Sequence, residues 1–156
     1  MNNNPYEAPS AELGHLAQRE PGEIYSPNQI TAGSFLGGPI AAIYFLRSNY
    51  LIIGKLEHAK KVLVFGILFI IILIGIIPFV PENLPNLFIP FVYTLAAKQI
   101  AAATQPSREE IDKDTRYSFP SNWKVLGITL ISAIIFIIVL AAAMFFMDGI
   151  GLINLS

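Results

Sequence analysis

The chain has 156 residues, of which 54% are hydrophobic and 13% are charged, and its formal net charge is −1. Soluble domains carry about 25% charged residues, so this composition leaves too little polar surface for a soluble globule and indicates a membrane protein. A net charge this close to zero argues against a nucleic-acid partner. The absence of cysteine excludes disulfides, thiolate catalysis and cysteine metal sites.

The chain opens with a polar tail over residues 1–28, which holds four prolines and four glutamates. Such a segment cannot bury enough apolar surface to fold, so we expect it to be mostly disordered, with at most a short helix over residues 10–18. It lacks the basic start and apolar stretch of a cleavable signal peptide. Residues 29–156 then form a transmembrane domain, which we expect to be all-α, a four-helix bundle.

The first apolar segment, residues 30–46, is short for a span and rich in small residues. Pro27 suits the first turn of its helix, and Pro39 should kink it. Two neighbouring ridges of small residues would let another helix approach closely: Gly33, Gly37 and Ala41, and beside them Ser34, Gly38 and Ala42. These ridges predict packing against a second span of the same chain; homodimerisation is the alternative.

Three further segments complete the predicted bundle. Residues 62–80 are nineteen positions without a charge, hydroxyl or amide, about 29 Å of helix, which matches the hydrocarbon core of a bilayer. Residues 84–103 form a weaker span that includes Lys98 and Gln99. Residues 125–147 form a strong fourth span. A tight proline-rich turn joins the second and third spans.

Two polar loops flank these spans, residues 47–61 and residues 104–124. In the second loop, Ser107 and Glu110 have the spacing of a capping box, which predicts a short helix through Asp114. Its mixed charges are typical of a solvated face. Trp123 and Lys124 mark a membrane interface just before the fourth span.

The positive charges predict an orientation. In a four-span arrangement the loops 47–61 and 104–124 share a side with nine of the ten Lys and Arg residues, and the opposite side holds Arg19 alone. These loops should therefore be cytoplasmic and both termini extracytoplasmic. In the alternative, the first segment is re-entrant or interfacial, the tail is cytoplasmic, and three true spans remain.

Candidate chemistry inside the spans is sparse. Lys98 and Gln99 are a possible binding pair, although a lysine near a helix end favours snorkelling to the headgroups. No Asp or Glu lies inside a span, which weighs against a proton-coupled transporter. His15 and His58 have no clustered partners, so we predict no metal site. Without a nucleophile, base or phosphate loop, the sequence predicts no enzyme and no cofactor.

Two stretches carry a family resemblance. Residues 4–9 read Asn-Pro-Tyr-Glu-Ala-Pro, which resembles the start of many small bacterial inner-membrane proteins. Residues 34–42 read Ser-Phe-Leu-Gly-Gly-Pro-Ile-Ala-Ala and lead to Asn49-Tyr50 and Ile53-Gly54-Lys55. This order resembles a group of uncharacterised bacterial multi-span proteins with a Gly-Pro-rich first span. The resemblance implies a bacterial inner-membrane location and no particular activity.

These observations favour a non-enzymatic inner-membrane protein that acts through protein or helix–helix contacts, for example an immunity-type protein that protects the membrane from a toxin. The contact surfaces would be the loop over residues 104–124 and the glycine ridge, with the lipid bilayer and a protein partner or second copy as partners. The alternative is a small oligomeric transporter or channel. A re-entrant first segment would favour this alternative over the contact protein.

Overall fold

The computed structural model describes residues 22–81 and 83–153, and the fold is mostly helical (77%). The elements in chain order are β1 (Gly22–Glu23), α1 (Pro27–Ile52), α2 (Leu56–Ile76) with a 3-10 turn at Ile77–Phe79, α3 (Phe88–Thr104), α4 (Arg108–Lys113), β2 (Tyr117–Ser118) and α5 (Asn122–Gly149). Residues 1–21 of the predicted tail lie outside the described residues. The short helix predicted over residues 10–18 lies outside them as well.

Helix α1 folds back on itself at Gly38, where φ is 74° and ψ is −172°. An unbroken helix would hold Tyr25 and Asn49 about 36 Å apart. Instead, the backbone N of Tyr25 lies 2.8 Å from Oδ1 of Asn49. Helix α1 is therefore a hairpin, with a first arm over residues 27–37 and a second arm over residues 39–52.

The sequence explains both the start and the break of this hairpin. Ser26 and Gln29 form a capping box, with Ser26 Oγ accepting from Gln29 N at 3.2 Å and Gln29 Oε1 accepting from Ser26 N at 3.1 Å. Gly38 adopts a backbone conformation that is essentially restricted to glycine. Pro39 follows at the first position of the second arm, where its missing N–H leaves no bond unmade. The predicted kink is thus a reversal of direction.

The hairpin is the centre of the molecule. It packs against α5, α3 and α2, which contact one another little. The hydrophobic core joins both arms to α3 and α5, and it consists of Tyr25, Ile30, Ala41, Ala42, Phe45, Leu46, Ala97, Ala101 and Val125. Most of α2 and the second half of α5 remain outside this core.

Both ends of the hairpin lie at the same end of the molecule, which we call the loop end (residues 22–26, 53–55 and 105–121). There β1 and β2 form a two-stranded parallel sheet that pairs Gly22 with Tyr117, and Gly22 N donates to Arg116 O at 3.1 Å. Glu23 and Lys124 form an ion pair beside it. The opposite, far end contains residues 80–81 and 83–87, which precede α3, and the described residues after α5.

The predicted count of four spans is not what the structure shows. Three helices are long and apolar enough to cross a membrane: Pro27–Ile52, Leu56–Phe79 and Asn122–Gly149. Helix α3 has 17 residues, because it begins at Phe88, after the proline-rich turn, rather than at residue 84. Gly22 lies at the loop end beside Arg116, whereas the four-span prediction places the tail opposite the charged loops.

The short helix predicted in the second loop is confirmed. Helix α4 is capped by Ser107, whose Oγ accepts from Glu110 N at 3.3 Å, while Glu110 Oε2 accepts from Ser107 N at 2.7 Å. Ile111 is 2% exposed and anchors this helix. The loop is therefore structured through to β2.

Candidate functional site

A buried amide joins the entry and the exit of the hairpin. Asn49 is fully buried. Its Oδ1 accepts from Tyr25 N at 2.8 Å and its Nδ2 donates to Tyr25 O at 2.8 Å. Nδ2 also donates to Oε1 of Gln105 at 2.8 Å, and Gln105 Nε2 donates to Leu46 O at 3.1 Å. One network thereby connects the start of the first arm, the second arm and the segment after α3.

A second group of bonds fastens the end of α3 to the end of the hairpin. The hydroxyls of Tyr50 and Thr104 are hydrogen-bonded to each other. Thr104 Oγ1 donates to Ile100 O at 2.5 Å, so its single proton is used and Tyr50 is the donor. Lys55 Nζ donates to Thr104 O at 2.9 Å, which places a cation at the C-terminus of α3.

The tip of the hairpin lies halfway along α5. A Cβ at Gly38 would stand 3.1 Å from Cδ1 of Phe136, and Phe136 lies about 21 Å along α5 from Asn122. Helix α5 is about 42 Å long. The arms therefore end near its midpoint, and beyond Gly38 the hairpin contributes nothing to the far half of the molecule.

Three buried hydroxyls lie within the hairpin or on the helices packed against it. Ser34, Thr94 and Thr129 have side-chain oxygens with no hydrogen-bond partner among residues 22–81 and 83–153. Thr129 lies against the first arm, because its Oγ1 is 3.0 Å from the position that a Cβ would take at Gly33. A buried hydroxyl without a partner is costly, so these positions are available to polar ligands or water.

The six small residues predicted to mediate helix packing all belong to the hairpin. Gly33, Ser34, Gly37, Gly38, Ala41 and Ala42 are all buried. A Cβ at Gly33 would overlap the ring of Phe45 in the second arm, and a Cβ at Gly37 would lie 2.8 Å from the backbone O of Thr129. The close approach that these glycines permit is therefore made within the chain, between the two arms and with α5.

The other predicted site residues do not join this cluster. Lys98 and Gln99 are both exposed on α3. Among the described residues no group of three or more His, Asp and Glu side chains could hold a metal ion. The sequence did not identify Asn49 and Gln105, which lie just outside the apolar segments where polar residues are unremarkable. The Gly37-Gly38-Pro39 triplet was the available signal for the reversal.

The loop end carries one strongly perturbed carboxyl. Arg116 donates from Nη2 to Asp114 Oδ2 at 2.6 Å and from Nε to Oδ1 at 2.9 Å. This hydrogen-bonded guanidinium lowers the pKa of Asp114 to about 2. The bonds from the Ser107 backbone and side chain likewise lower the pKa of Glu110. The Glu110 carboxyl is solvent-exposed and that of Asp114 is partly exposed, which is typical of structural loop pairs.

Comparison of the chain with family models, with curated proteins and with solved structures gives no match. The assignment of a function therefore rests on the geometry of the hairpin and its surroundings.

Proposed function

We propose that α2, α3 and α5 cross the membrane and that α1 enters and leaves it at the loop end as a re-entrant hairpin. The single observation that carries this is the bonding of Asn49 to both backbone groups of Tyr25, since it brings both ends of α1 to one side. Helix α3, about 26 Å long, is short for a crossing, and Lys98 would extend to the headgroups near its loop end.

The distribution of charge supports a cytoplasmic loop end. No Lys or Arg occurs in residues 62–97 or 125–156, which contain the far end. The described basic residues instead lie in the loop end or within a few helical turns of it. By the positive-inside rule this side is cytoplasmic. A bacterial inner membrane is the proposed location, supported by the resemblance of residues 4–9 and 34–42.

We propose that the protein is a small oligomeric channel or facilitator for small uncharged polar solutes. A helix that breaks at mid-bilayer is tolerated only where it is buried in protein or lines a cavity. Here the break at Gly38 is accompanied by the unpartnered hydroxyls of Ser34, Thr94 and Thr129. The only carboxylates in α2, α3 and α5 are Glu57 and Asp148, next to the helix ends, so a cationic substrate would lack a partner in the bilayer interior. One chain encloses little polar space, which favours an oligomer.

Solute flux in vesicles tests this proposal. Purified protein in liposomes should raise the rate of glycerol or urea entry, measured by light scattering after rapid mixing. The double variant Thr94→Val and Thr129→Val, which removes two hydroxyls with little change of shape, should lower this rate several-fold. Gln99→Ala, on the exposed face of α3, is the matched control and should retain it. Rates equal to those of empty vesicles would exclude the channel function.

The contact protein is the second candidate, favoured by the uncovered far half of α5. None of residues 133–149 is buried, and Phe145 and Phe146 are 72% and 67% exposed. A helix of another protein could cover this face. An immunity-type role predicts that deletion of the gene sensitises cells to a membrane-active toxin, and unchanged survival under challenge would contradict it.

A further inference from the structure

An apolar groove of about 420 Å³ lies between the second arm, α2 and α3. It exists because α2 and α3 each pack on the hairpin rather than on one another. Its walls include Ile43 and Leu46 of the second arm, Phe65 of α2 and Ala97 of α3. Gly66 permits this arrangement, since a Cβ there would overlap the side chain of Ile43.

The groove is closed towards the middle of the membrane. Phe69 and Tyr93, both in its lining, meet with ring centroids 6.4 Å apart in an edge-to-face contact between α2 and α3. From Lys61 at the mouth to Phe69 at the floor, α2 rises about 12 Å. One leaflet of hydrocarbon is about 15 Å thick, half of a bilayer core. The groove therefore has the depth of one leaflet.

The mouth of the groove is basic. Lys61 is a lining residue, and no Asp or Glu lines the groove. Arg47 lies one helical turn after Ile43 on the same face of the second arm, towards the loop end. Neither Arg47 nor Lys61 has an ion-pair partner within the described ranges 22–81 and 83–153. Both cations are thus available to an anion at the headgroup level.

We propose that this groove is a binding site for an anionic phospholipid of the leaflet at the loop end. One acyl chain would lie along the groove with its interior part against the Phe69–Tyr93 pair, and the phosphate would meet Lys61 and Arg47. An amphiphile with one charged end fits a groove that is basic at its mouth and apolar below. A transmembrane helix from a partner would need a groove about 30 Å long, which the ring pair prevents. The proposal does not depend on the channel function.

Lipid retention by the full-length protein tests it. The protein would be released from nanodiscs containing equal amounts of palmitoyl-oleoyl phosphatidylglycerol and palmitoyl-oleoyl phosphatidylcholine, and the retained lipids counted by native mass spectrometry. One phosphatidylglycerol per chain should be retained preferentially. Each basic residue near an anionic headgroup contributes about a fivefold preference. Equal retention of the two lipids by the wild-type protein would overturn the proposal.

Two pairs of variants separate the headgroup from the groove. Lys61→Gln combined with Arg47→Gln should abolish the preference for phosphatidylglycerol. Lys60 forms an ion pair with Glu57 at 3.1 Å, so the control variant Lys60→Gln should retain this preference. Ala96→Phe, at a lining position, should lower retention of the bound lipid, whereas Ala142→Phe on the exposed face of α5 should not. An unchanged preference in the double variant, or unchanged retention in Ala96→Phe, would refute the site. Circular dichroism would verify that the helix content is preserved.

Discussion

Gly38 lies against the ring of Phe136, so the tightest backbone turn of the hairpin is in contact with the middle of the longest helix. The φ at Gly38 is 74°, and the position that a Cβ would take there is 3.1 Å from Phe136 Cδ1. The backbone conformation makes a side chain at this residue strained, and the ring of Phe136 leaves little space for one. Gly38 therefore determines both where α1 reverses direction and where the tip of the hairpin lies along α5.

Substitution of Gly38 should destabilise the fold. Gly38→Ala is expected to lower the free energy of unfolding by about 1–3 kcal/mol, because alanine at this φ and ψ is strained and its methyl group also presses on Phe136. Denaturant titration in detergent micelles would measure it. Gly75→Ala is the matched control, since nothing lies within 4 Å of a Cβ there, and it should leave stability unchanged or raise it by up to about 1 kcal/mol. Equal effects of the two variants would contradict the reversal at Gly38.

The amide of Asn49 should be essential for closing the hairpin. Asn49→Leu leaves both backbone groups of Tyr25 and the Oε1 of Gln105 without their partner, and each unpaired buried group costs about 1–3 kcal/mol. We expect a loss of at least about 3 kcal/mol and faster hydrogen exchange at the Tyr25 amide. The control variant Gln99→Leu, which replaces an exposed amide, should change neither the stability nor the hydrogen exchange at Tyr25. Unchanged exchange at Tyr25 in Asn49→Leu would show that the two ends are held together in another way.

The re-entrant arrangement predicts the accessibility of single cysteines. The chain has no native cysteine, so Asn3→Cys, Ser107→Cys and Asn86→Cys can each be probed in intact cells with a membrane-impermeant thiol reagent. We expect protection at positions 3 and 107 and labelling at position 86. Labelling at position 3 together with protection at 107 would place the tail across the membrane and restore four spans.

The ion pair between Asp114 and Arg116 predicts a low titration midpoint for the Asp114 carboxyl. The pKa of Asp114 is lowered to about 2, so this carboxylate favours the folded state above the ordinary pKa of Asp, about 3.9, and the contribution disappears as the pH falls through about 2. Carbon NMR of the Asp114 carboxyl should show this midpoint, and Arg116→Ala should move it up towards about 3.9. Arg108→Ala, which removes a different guanidinium, should leave it in place. Because the Arg116 side chain is exposed and that of Asp114 is partly exposed, the change in overall stability should be small.

The apolar segments around residues 62–80 and 125–147 were predictable, because a run without polar groups has one stable form in a bilayer. The capping box of Ser107 was predictable for a similarly local reason. The reversal of α1 was not, because glycine and proline in an apolar run are compatible with a kinked span, and the choice between kink and hairpin depends on distant partners. Asn49 and Gln105 meet across 56 residues, and no local pattern encodes such a pairing.

The hairpin is synthesised before the residues that pack against it. Gly33 and Gly37 pack against Thr129, and Gln29 Nε2 donates to Pro120 O at 3.0 Å across 91 residues. A ribosome therefore delivers the hairpin first and the helix that covers it last. We expect the newly made first arm to remain at the membrane surface, or to be bound there by insertion factors, until α5 has been synthesised. The hairpin would then complete its insertion only after the helix that covers it has been made.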